Sequence, residues 1–337
     1  DHGNNHDFVL NDHTSEPSYG PCLFLYRSED QICVVKGTRR LTELSTAKEA
    51  TTPRASRFNM PDWLRGLLRH KLSVFGLLII FFSTFVALTA SVIAPYDPLQ
   101  QDYEKLLNPP SLQHWIGNDY LGRDVMSRLI HGTQISLTVG LLSVIIAAVI
   151  GVPLGILAAF YGGWIDATIM RFIDAKMAIP GLMLSMLLLL TLGGSVMTVS
   201  FALGFGLSSA QSRLIRSQAL SVKEREYFQA ARAMGVSNFK LMFVHMLPNS
   251  IQPVIVQASL GVGFAILGEA GLSFLGLGVT PPTPTWGNML SLAFDNLRSA
   301  PHLMYPPGIA IVLVVISFSF VGDGLRDVLD PRLRGKI

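Results

Sequence analysis

Residues 226–248 read EYFQAARAMGVSNFKLMFVHMLP. They form a polar, basic, helix-forming island between two apolar runs of membrane length. Ser221 followed by Glu224 has the form of a capping box and predicts a helix start there. Residues 222–234 are good helix formers, and Gly235 suits a helix end. Asn238 to Met246 predicts a second helix, and Pro248 opens the next apolar run with its fixed φ. The expectation is a helix–turn–helix at a membrane surface, with Ala230 and Ala231 giving the first helix a small, smooth patch. Such a patch allows close backbone approach to a docking groove, so a segment of this kind can receive a mechanical signal from a partner protein. An ordinary alanine-rich loop is the other reading of the same residues.

Outward from that island the chain is apolar. Half of its 337 residues are hydrophobic and 15% are charged, whereas a soluble domain averages about 25% charged. The apolar residues cluster in runs of roughly 20, the length a helix needs to cross about 30 Å of hydrocarbon. An open sheet is excluded, because its unpaired edge groups would go unsatisfied in lipid. The fold class expected is therefore an all-α polytopic membrane protein.

Six spans are predicted, at about residues 72–94, 135–160, 176–192, 196–214, 251–275 and 302–321. Pro153 is expected to kink the second, and Pro180 lies near the start of the third. Basic residues set the orientation. The flank 54–71 holds five Lys/Arg against Asp62, the 213–248 loop six against two acids, and the tail carries Arg326, Arg332, Arg334 and Lys336. The loop 95–134 holds three Lys/Arg against five acids, and the loop 276–301 has only Arg298. Six spans separate these two groups of segments, so both termini and the 213–248 loop are expected in the cytoplasm.

The domain organisation follows. Residues 1–55 are mixed and aperiodic and read as a disordered or loosely ordered tail; a β-like run at Gln31–Val35 is too short for a domain. The tail lacks the basic-then-apolar order of a secretory signal. Cys22 and Cys33 form no CxxC pattern and receive no redox or metal role. Residues 56–71 place Trp63, Leu64, Leu67 and Leu68 at helical spacing, which predicts an amphipathic helix on the membrane surface or, more plainly, a basic flank. Residues 72–325 make the transmembrane domain, with 215–248 as its coupling loop, and 326–337 a C-terminal tail.

Three further groups are candidates. Gly261, Gly263, Gly268 and Gly271 on the fifth span allow close helix approach, either against a second subunit or along a translocation path, or plainly within the subunit. Glu269 is an acid well inside a span, which marks function by default; a structural hydrogen bond is the alternative. Asp119, Arg123, Asp124 and Arg128 either face a docking protein or hold their loop together as an ion-pair cluster. The sequence contains no GxxxxGK[ST] phosphate loop, no metal-ligand cluster and no G-x-S-x-G elbow. No cofactor, no metal, no catalytic residue and no nucleic-acid partner is expected of this chain. An ion-driven secondary transporter would want buried charges and broken helices near the midplane, and the spans are nearly free of charge.

The joint pattern Ala230-Ala231, Gly235, Leu247-Pro248 resembles the EAA loop of ABC importer permeases. Gln229 stands where that loop carries Glu, keeping length and hydrogen-bonding capacity without the charge, and His245 stands where an aliphatic residue is common. The stretches EAGLSFLGLG (269–278), PPTP (281–284), WGNML (286–290), GDGLRDVLDPR (322–332) and GNDYLGRDVMSR (117–128) are similar to the C-type permease of dipeptide and oligopeptide importers. The resemblance covers about residues 60–334. It implies the type I, MetI-like fold, a bacterial inner-membrane location, and one of two permease subunits around a path. It also implies two separate ABC ATPase subunits, which bind ATP and Mg, and an extracytoplasmic binding protein. The ATPases would dock through Glu226, Gln229, Ala230, Ala231, Met234, Gly235, Leu247 and Pro248. Peptides, glutathione and nickel complexes are the cargoes it implies, with short peptides preferred.

Overall fold

A computed structural model describes residues 62–329 and, ahead of them, residues 25–28 and 31–34. The chain divides into two units, Asp1–Asn59 and Met60–Ile337. In the first, β1 (Leu25–Ser28) pairs antiparallel with β2 (Gln31–Val34), Leu25 facing Val34 and Ser28 facing Gln31. The rest of the expected tail 1–55, the start of the surface helix and residues 330–337 lie outside the described residues.

The second unit is helical. In chain order it comprises α1 (Asp62–Arg69), α2 (Lys71–Leu88), α3 (Ala90–Ile93), α4 (Val125–Tyr161), α5 (Gly163–Met177), α6 (Gly181–Leu192), α7 (Val196–Lys223) and α8 (Glu226–Ala233). Then come α9 (Asn238–Lys240), a π-helical turn (Leu241–Met246), α10 (Leu247–Ser250), α11 (Gln252–Phe274), α12 (Trp286–Asp295), a 3₁₀ turn (Pro301–Leu303) and α13 (Tyr305–Leu329).

The surface pattern of α2 shows what solvent this unit is built for. Its buried residues are small, Ser73, Gly76 and Ser83, whereas Leu72, Phe75, Leu78, Phe81, Phe82, Phe85 and Leu88 point outward. In water that arrangement is inside out; in lipid it is the expected one, because apolar side chains gain nothing by leaving hydrocarbon and small residues allow close packing. Ser73 Oγ donates to the carbonyl of Phe320 at 3.1 Å, and a Cβ on Gly76 would fall 2.6 Å from the carbonyl oxygen of Ser317. α2 is thus seated on α13 through its small face. α1 joins the same packing through buried Leu67, and a Cβ on Gly66 would meet Val328 at 2.7 Å.

Four stretches among the described residues are long and apolar enough to cross a membrane: Lys71–Leu88, Val125–Tyr161, Gln252–Phe274 and Pro301–Leu329. The expected third span departs from this. Gly163–Met177 and Gly181–Leu192 are bent by 86° about Pro180, so that proline ends one helix and caps the next rather than sitting inside a span. Proline disfavours the helical conformation in the residue before it and cannot continue the ladder. α6 has 12 residues, about 18 Å of helix, short of the ~30 Å core on its own. The second expected span starts earlier than its hydropathy suggests: α4 runs 37 residues and contains Pro153 without ending there. Its first turns carry Ser127 and Arg128, met by Asp124, Asp119 and Pro98 of the preceding loop, and His131, whose Nδ1 lies 3.0 Å from the Ser127 carbonyl within α4.

α4 and α7 form the central pair. A Cβ on Gly151 would fall 2.6 Å from the Ser208 carbonyl oxygen, and Ser212 Oγ donates to the carbonyl of Gly151 at 3.0 Å. α11 packs between α4, α7 and α13. One end of the bundle holds α8 over an apolar cluster that includes Ile156, Ile215 and Met246; the other holds α12 over Val125, Met289 and Leu303.

Candidate functional site: the α8 surface and its supports

α8 does not begin where the capping-box reading put it. α7 continues to Lys223, Ser221 is inside it with its hydroxyl on the Ser217 carbonyl, and Glu224 is the helix C-cap. The chain turns at Arg225, and α8 runs from Glu226 to Ala233. Gly235 follows at φ +78°, a left-handed conformation that glycine adopts without a steric penalty. α9, the π turn and α10 return the chain to the bundle. Pro248 has no N–H to give the Val244 carbonyl, and the amide of Leu247 reaches back five residues to Met242. Asn249 Nδ2 donates to the His245 carbonyl at 2.7 Å.

The two alanines separate. Ala231 is 6% exposed and packs with Phe228, Val222, Leu241 and Met246. Ala230 is exposed, as are Glu226, Gln229, Arg232, Met234, Gly235 and Pro248, while Leu247 packs against the inner cluster. The expectation that Ala231 faces outward is therefore corrected. Residues at i and i+1 point about 100° apart on a helix, and Phe228 already commits the i, i+3 row to the core. Met234 is exposed as expected, and the outward face adds residues that sequence reading passed over: Tyr227, Phe239, Phe243 and Val244 are all exposed, and the rings of Phe239 and Phe243 lie 4.6 Å apart. A short helix with an anchored inner face and an outer face that mixes polar side chains with Tyr227 and Ala230 can pass a push into the bundle behind it.

That bundle is cross-tied below α8. Lys223 Nζ donates to the carbonyls of Ala159 at 3.0 Å and Phe160 at 2.8 Å, closing the end of α4. A cation there also complements the negative end of the helix dipole. Arg216 Nε donates to Asp166 Oδ1 at 2.6 Å, and Arg213 pairs with Asp174, so α7 is bound twice to α5. No sequence signal pairs these residues; their separations of 50 and 39 positions exceed any local pattern.

At the opposite end, Asp119, Arg123, Asp124 and Arg128 are all buried. Arg123 Nε donates to Asp119 Oδ2 at 2.7 Å, and Arg128 Nε lies 3.6 Å from the same oxygen. Asp124 caps α4, accepting from the Ser127 amide and hydroxyl at 2.7 Å each, and its other oxygen meets His114 Nδ1 at 2.9 Å. Arg128 reaches the Pro98 carbonyl at 3.1 Å. These side chains point into their own loop. Nearer the surface, Lys105 lies 3.0 Å from Asp102; their hydrogen bond holds the Asp102 carboxyl below its usual range and the Lys105 amine above its own.

In α11, a Cβ on Gly261 would touch Val144 at 3.2 Å, one on Gly263 Val315 at 3.3 Å, and one on Gly268 Leu203 at 2.8 Å. These three glycines serve contacts within the subunit, with α4, α13 and α7 respectively. Gly271 has open space around it. Glu269 is fully buried; its Oε1 accepts from Ser273 Oγ at 2.7 Å and Thr285 Oγ1 at 2.8 Å. Thr285 also caps α12, accepting from the Asn288 amide at 3.0 Å. The acid thus ties α12 to the end of α11. Among the described residues no group of three or more His, Cys, Asp or Glu is placed to hold a metal.

A lipid-facing helical bundle, with a short outward-facing helix fixed across one end, has the architecture of a transport permease subunit. The profile described as "Binding-protein-dependent transport system inner membrane component" matches residues 151–335, and "N-terminal TM domain of oligopeptide transport permease C" matches residues 60–110. The chain belongs to this family of multi-pass inner-membrane transport components. It is 40% identical over 268 residues to the dipeptide transport system permease protein DppC of Alkalihalophilus pseudofirmus, covering 80% of this chain and 88% of that protein. It is 40% identical over 273 residues to the glutathione transport system permease protein GsiD of Pectobacterium atrosepticum, covering 81% and 90%. Its fold is shared with a chain of the MetNI methionine ABC transporter in an inward-facing conformation, at a TM-score of 0.51 and 20% identity, over 61% of this chain and 98% of that one.

Proposed function

We propose that this chain is one permease subunit of an ATP-driven importer of short peptides, moved by a separate ATPase that grips α8. The observation that carries this reading is the two-sided character of α8. Phe228 and Ala231 fix it to the ends of α4, α7 and α11, while Ala230, Gln229 and Met234 stay free for a groove. A helix laid into a groove by small and apolar anchors is a recurrent docking mode. The docking surface is Glu226, Gln229, Ala230, Met234 and Gly235, widened by Tyr227 and Phe239, with Leu247 and Pro248 completing the return of the chain.

The basic 213–248 segment supports a cytoplasmic side for α8 and, with six crossings, for both termini. α2, α4, α11 and α13 are the four crossings that length and apolarity support; the bent α5–α6 pair and α7, which is less apolar than those four, complete the six that this orientation requires. The partners are a second permease subunit, two ABC ATPases that bind ATP and Mg, and an extracytoplasmic binding protein that delivers cargo. Closure of the ATPase pair drags α8 and tips the bundle between two states, which requires the ATPase to bind those states unequally. The name of the A. pseudofirmus relative supports dipeptides as cargo; that of the P. atrosepticum relative supports glutathione as the second reading.

The test is reconstitution of this chain with its genomic neighbours into vesicles, with uptake of radiolabelled Ala-Ala and of glutathione measured with and without ATP. ATP-dependent Ala-Ala accumulation is expected. Uptake that persists without an ATPase, driven by an ion gradient, would refute the reading.

A further inference from the structure

On the side of the bundle that carries α8 there is a cavity of about 750 Å³ that the docking account does not use. It is lined by α7, through Leu214 and Gln218, by the segment that connects α7 to α11, by α11 itself and by α13. Arg225, the residue immediately before α8, and Asn249 come from the connecting segment, Gln252 and Gln257 from the start of α11, and Asp323 and Arg326 from the end of α13. Its size falls within the range of small-molecule sites, roughly 300–1,000 Å³, and it opens to the surface at its exposed polar lining.

The chemistry of the lining is specific. Two guanidiniums and one carboxylate leave an excess of one positive charge. Asp323 and Arg326 stand three residues apart on one helix face, the spacing at which they could neutralise one another. They do not: among the described residues neither they nor Arg225 takes part in an ion pair. Arg225, Asp323 and Arg326 are exposed and line one cavity with no ion-pair partner among the described residues, so their charges are open to an occupant that carries charge itself. A guanidinium matches a carboxylate in two parallel hydrogen bonds, and the amides of Gln252 and Gln257 supply donors and acceptors suited to a peptide bond. We propose that this cavity binds a small solute with a free carboxylate, held by Arg225 and Arg326, with Asp323 taking a cationic amino group where the solute has one. This rests on the proposed function only in its choice of a peptide as probe. It predicts that cargo without a terminal carboxylate passes this mouth unretained.

The test uses the full-length chain in lipid nanodiscs, titrated with Ala-Ala, Ala-Ala amide and acetate and followed by saturation-transfer NMR. Ala-Ala is expected to saturate, and its amide to bind about tenfold more weakly, the scale of one lost charge-assisted contact. Arg326→Gln should weaken Ala-Ala about tenfold and Arg326→Lys much less. Asp323→Asn should weaken Ala-Ala while leaving acetate unchanged. Equal binding of Ala-Ala and its amide, or Ala-Ala binding indifferent to Arg326→Gln, would overturn the site. So would loss of ATPase co-purification by Arg326→Gln with Ala-Ala binding intact, since the carboxylate would then belong to a partner protein. Failure of ATP-driven peptide uptake with these binding results in place would instead remove only the importer reading.

Discussion

Ala230 and Ala231 are chain neighbours with opposite duties: Ala231 lies 6% exposed against Phe228 and Met246, and Ala230 faces out from α8. A charge added at each should therefore fail differently. Ala231→Glu forces bulk and a carboxylate into a packed cluster, where overpacking alone costs roughly 1–3 kcal/mol and the unpaired charge adds to it. The expected result is poor insertion or a lowered thermal midpoint in detergent. Ala230→Glu should leave the midpoint within a degree or two and abolish ATPase co-purification and uptake. Normal uptake by Ala230→Glu would remove α8 as the docking element.

Lys223 supplies the second prediction. Its ammonium holds the last carbonyls of α4, at Ala159 and Phe160, and stands three residues before α8. Lys223→Met keeps the aliphatic stem and deletes both charge-assisted bonds, each worth roughly 1.5–3 kcal/mol before partial hydration of the freed carbonyls is counted. Stability should fall by about 1–2 kcal/mol. ATP hydrolysis by the docked complex should persist while peptide movement per ATP falls, because α8 would no longer be fixed to α4. Arg at this position should restore most of both. Unchanged coupling in the Met variant would show that the apolar cluster alone transmits the motion.

How much of this was legible in the sequence depends on what each residue competes with. Long apolar runs announce themselves, so α2, α11 and α13 fall close to their expected ranges. Residues 125–134 read as loop because Ser127, Arg128 and His131 are polar, yet they begin α4; the partners of Ser127 and Arg128, namely Asp124, Asp119 and Pro98, lie in a loop whose path hydropathy does not encode, and His131 is met by the Ser127 carbonyl of the helix itself. Pro180 was visible, but its 86° consequence was not, since Pro153 sits inside α4 without ending it. The EAA-like pattern located α8 within a few residues and misassigned its inner face. The i, i+6 and i+9 relation among Val222, Phe228 and Ala231 was the available signal, weakened by the helix break at Glu224. The ties Arg216–Asp166 and Thr285–Glu269 are long-range or cross a loop, and nothing local specifies them.

Arg216 and Asp166 give a third test, by charge exchange. Their side chains are 30% and 19% exposed, so the pair is partly screened and its worth is modest, about 1 kcal/mol. Asp166→Ala and Arg216→Ala should each loosen α5 from α7, increasing exchange or cysteine-labelling rates near Asp174. The double exchange, Asp166→Arg with Arg216→Asp, should recover a large part of the loss. Strict additivity of the two single substitutions would mean that the contact contributes nothing.

The Glu269–Thr285 contact sets the last prediction. Thr285 Oγ1 donates to a fully buried carboxyl and accepts from the Asn288 amide, so one hydroxyl both anchors and caps α12. Thr285→Val preserves shape and deletes both bonds. A lost cap costs about 1 kcal/mol, and a buried acceptor left with fewer donors roughly 1–3 more. Thr285→Ser retains the hydroxyl and should behave almost as the parent protein. The expected signature is local: α12 becomes more susceptible to hydrogen exchange and to protease added on its own side of the membrane, while α8 at the far end keeps its protection. In the proposed orientation α12 faces the binding protein, so uptake by the assembled importer should fall without a matching fall in ATPase docking. A Val variant that destabilises α8 as strongly as α12 would show that the bundle loosens as a whole, and Glu269 would then be a support of the entire fold rather than a local tie.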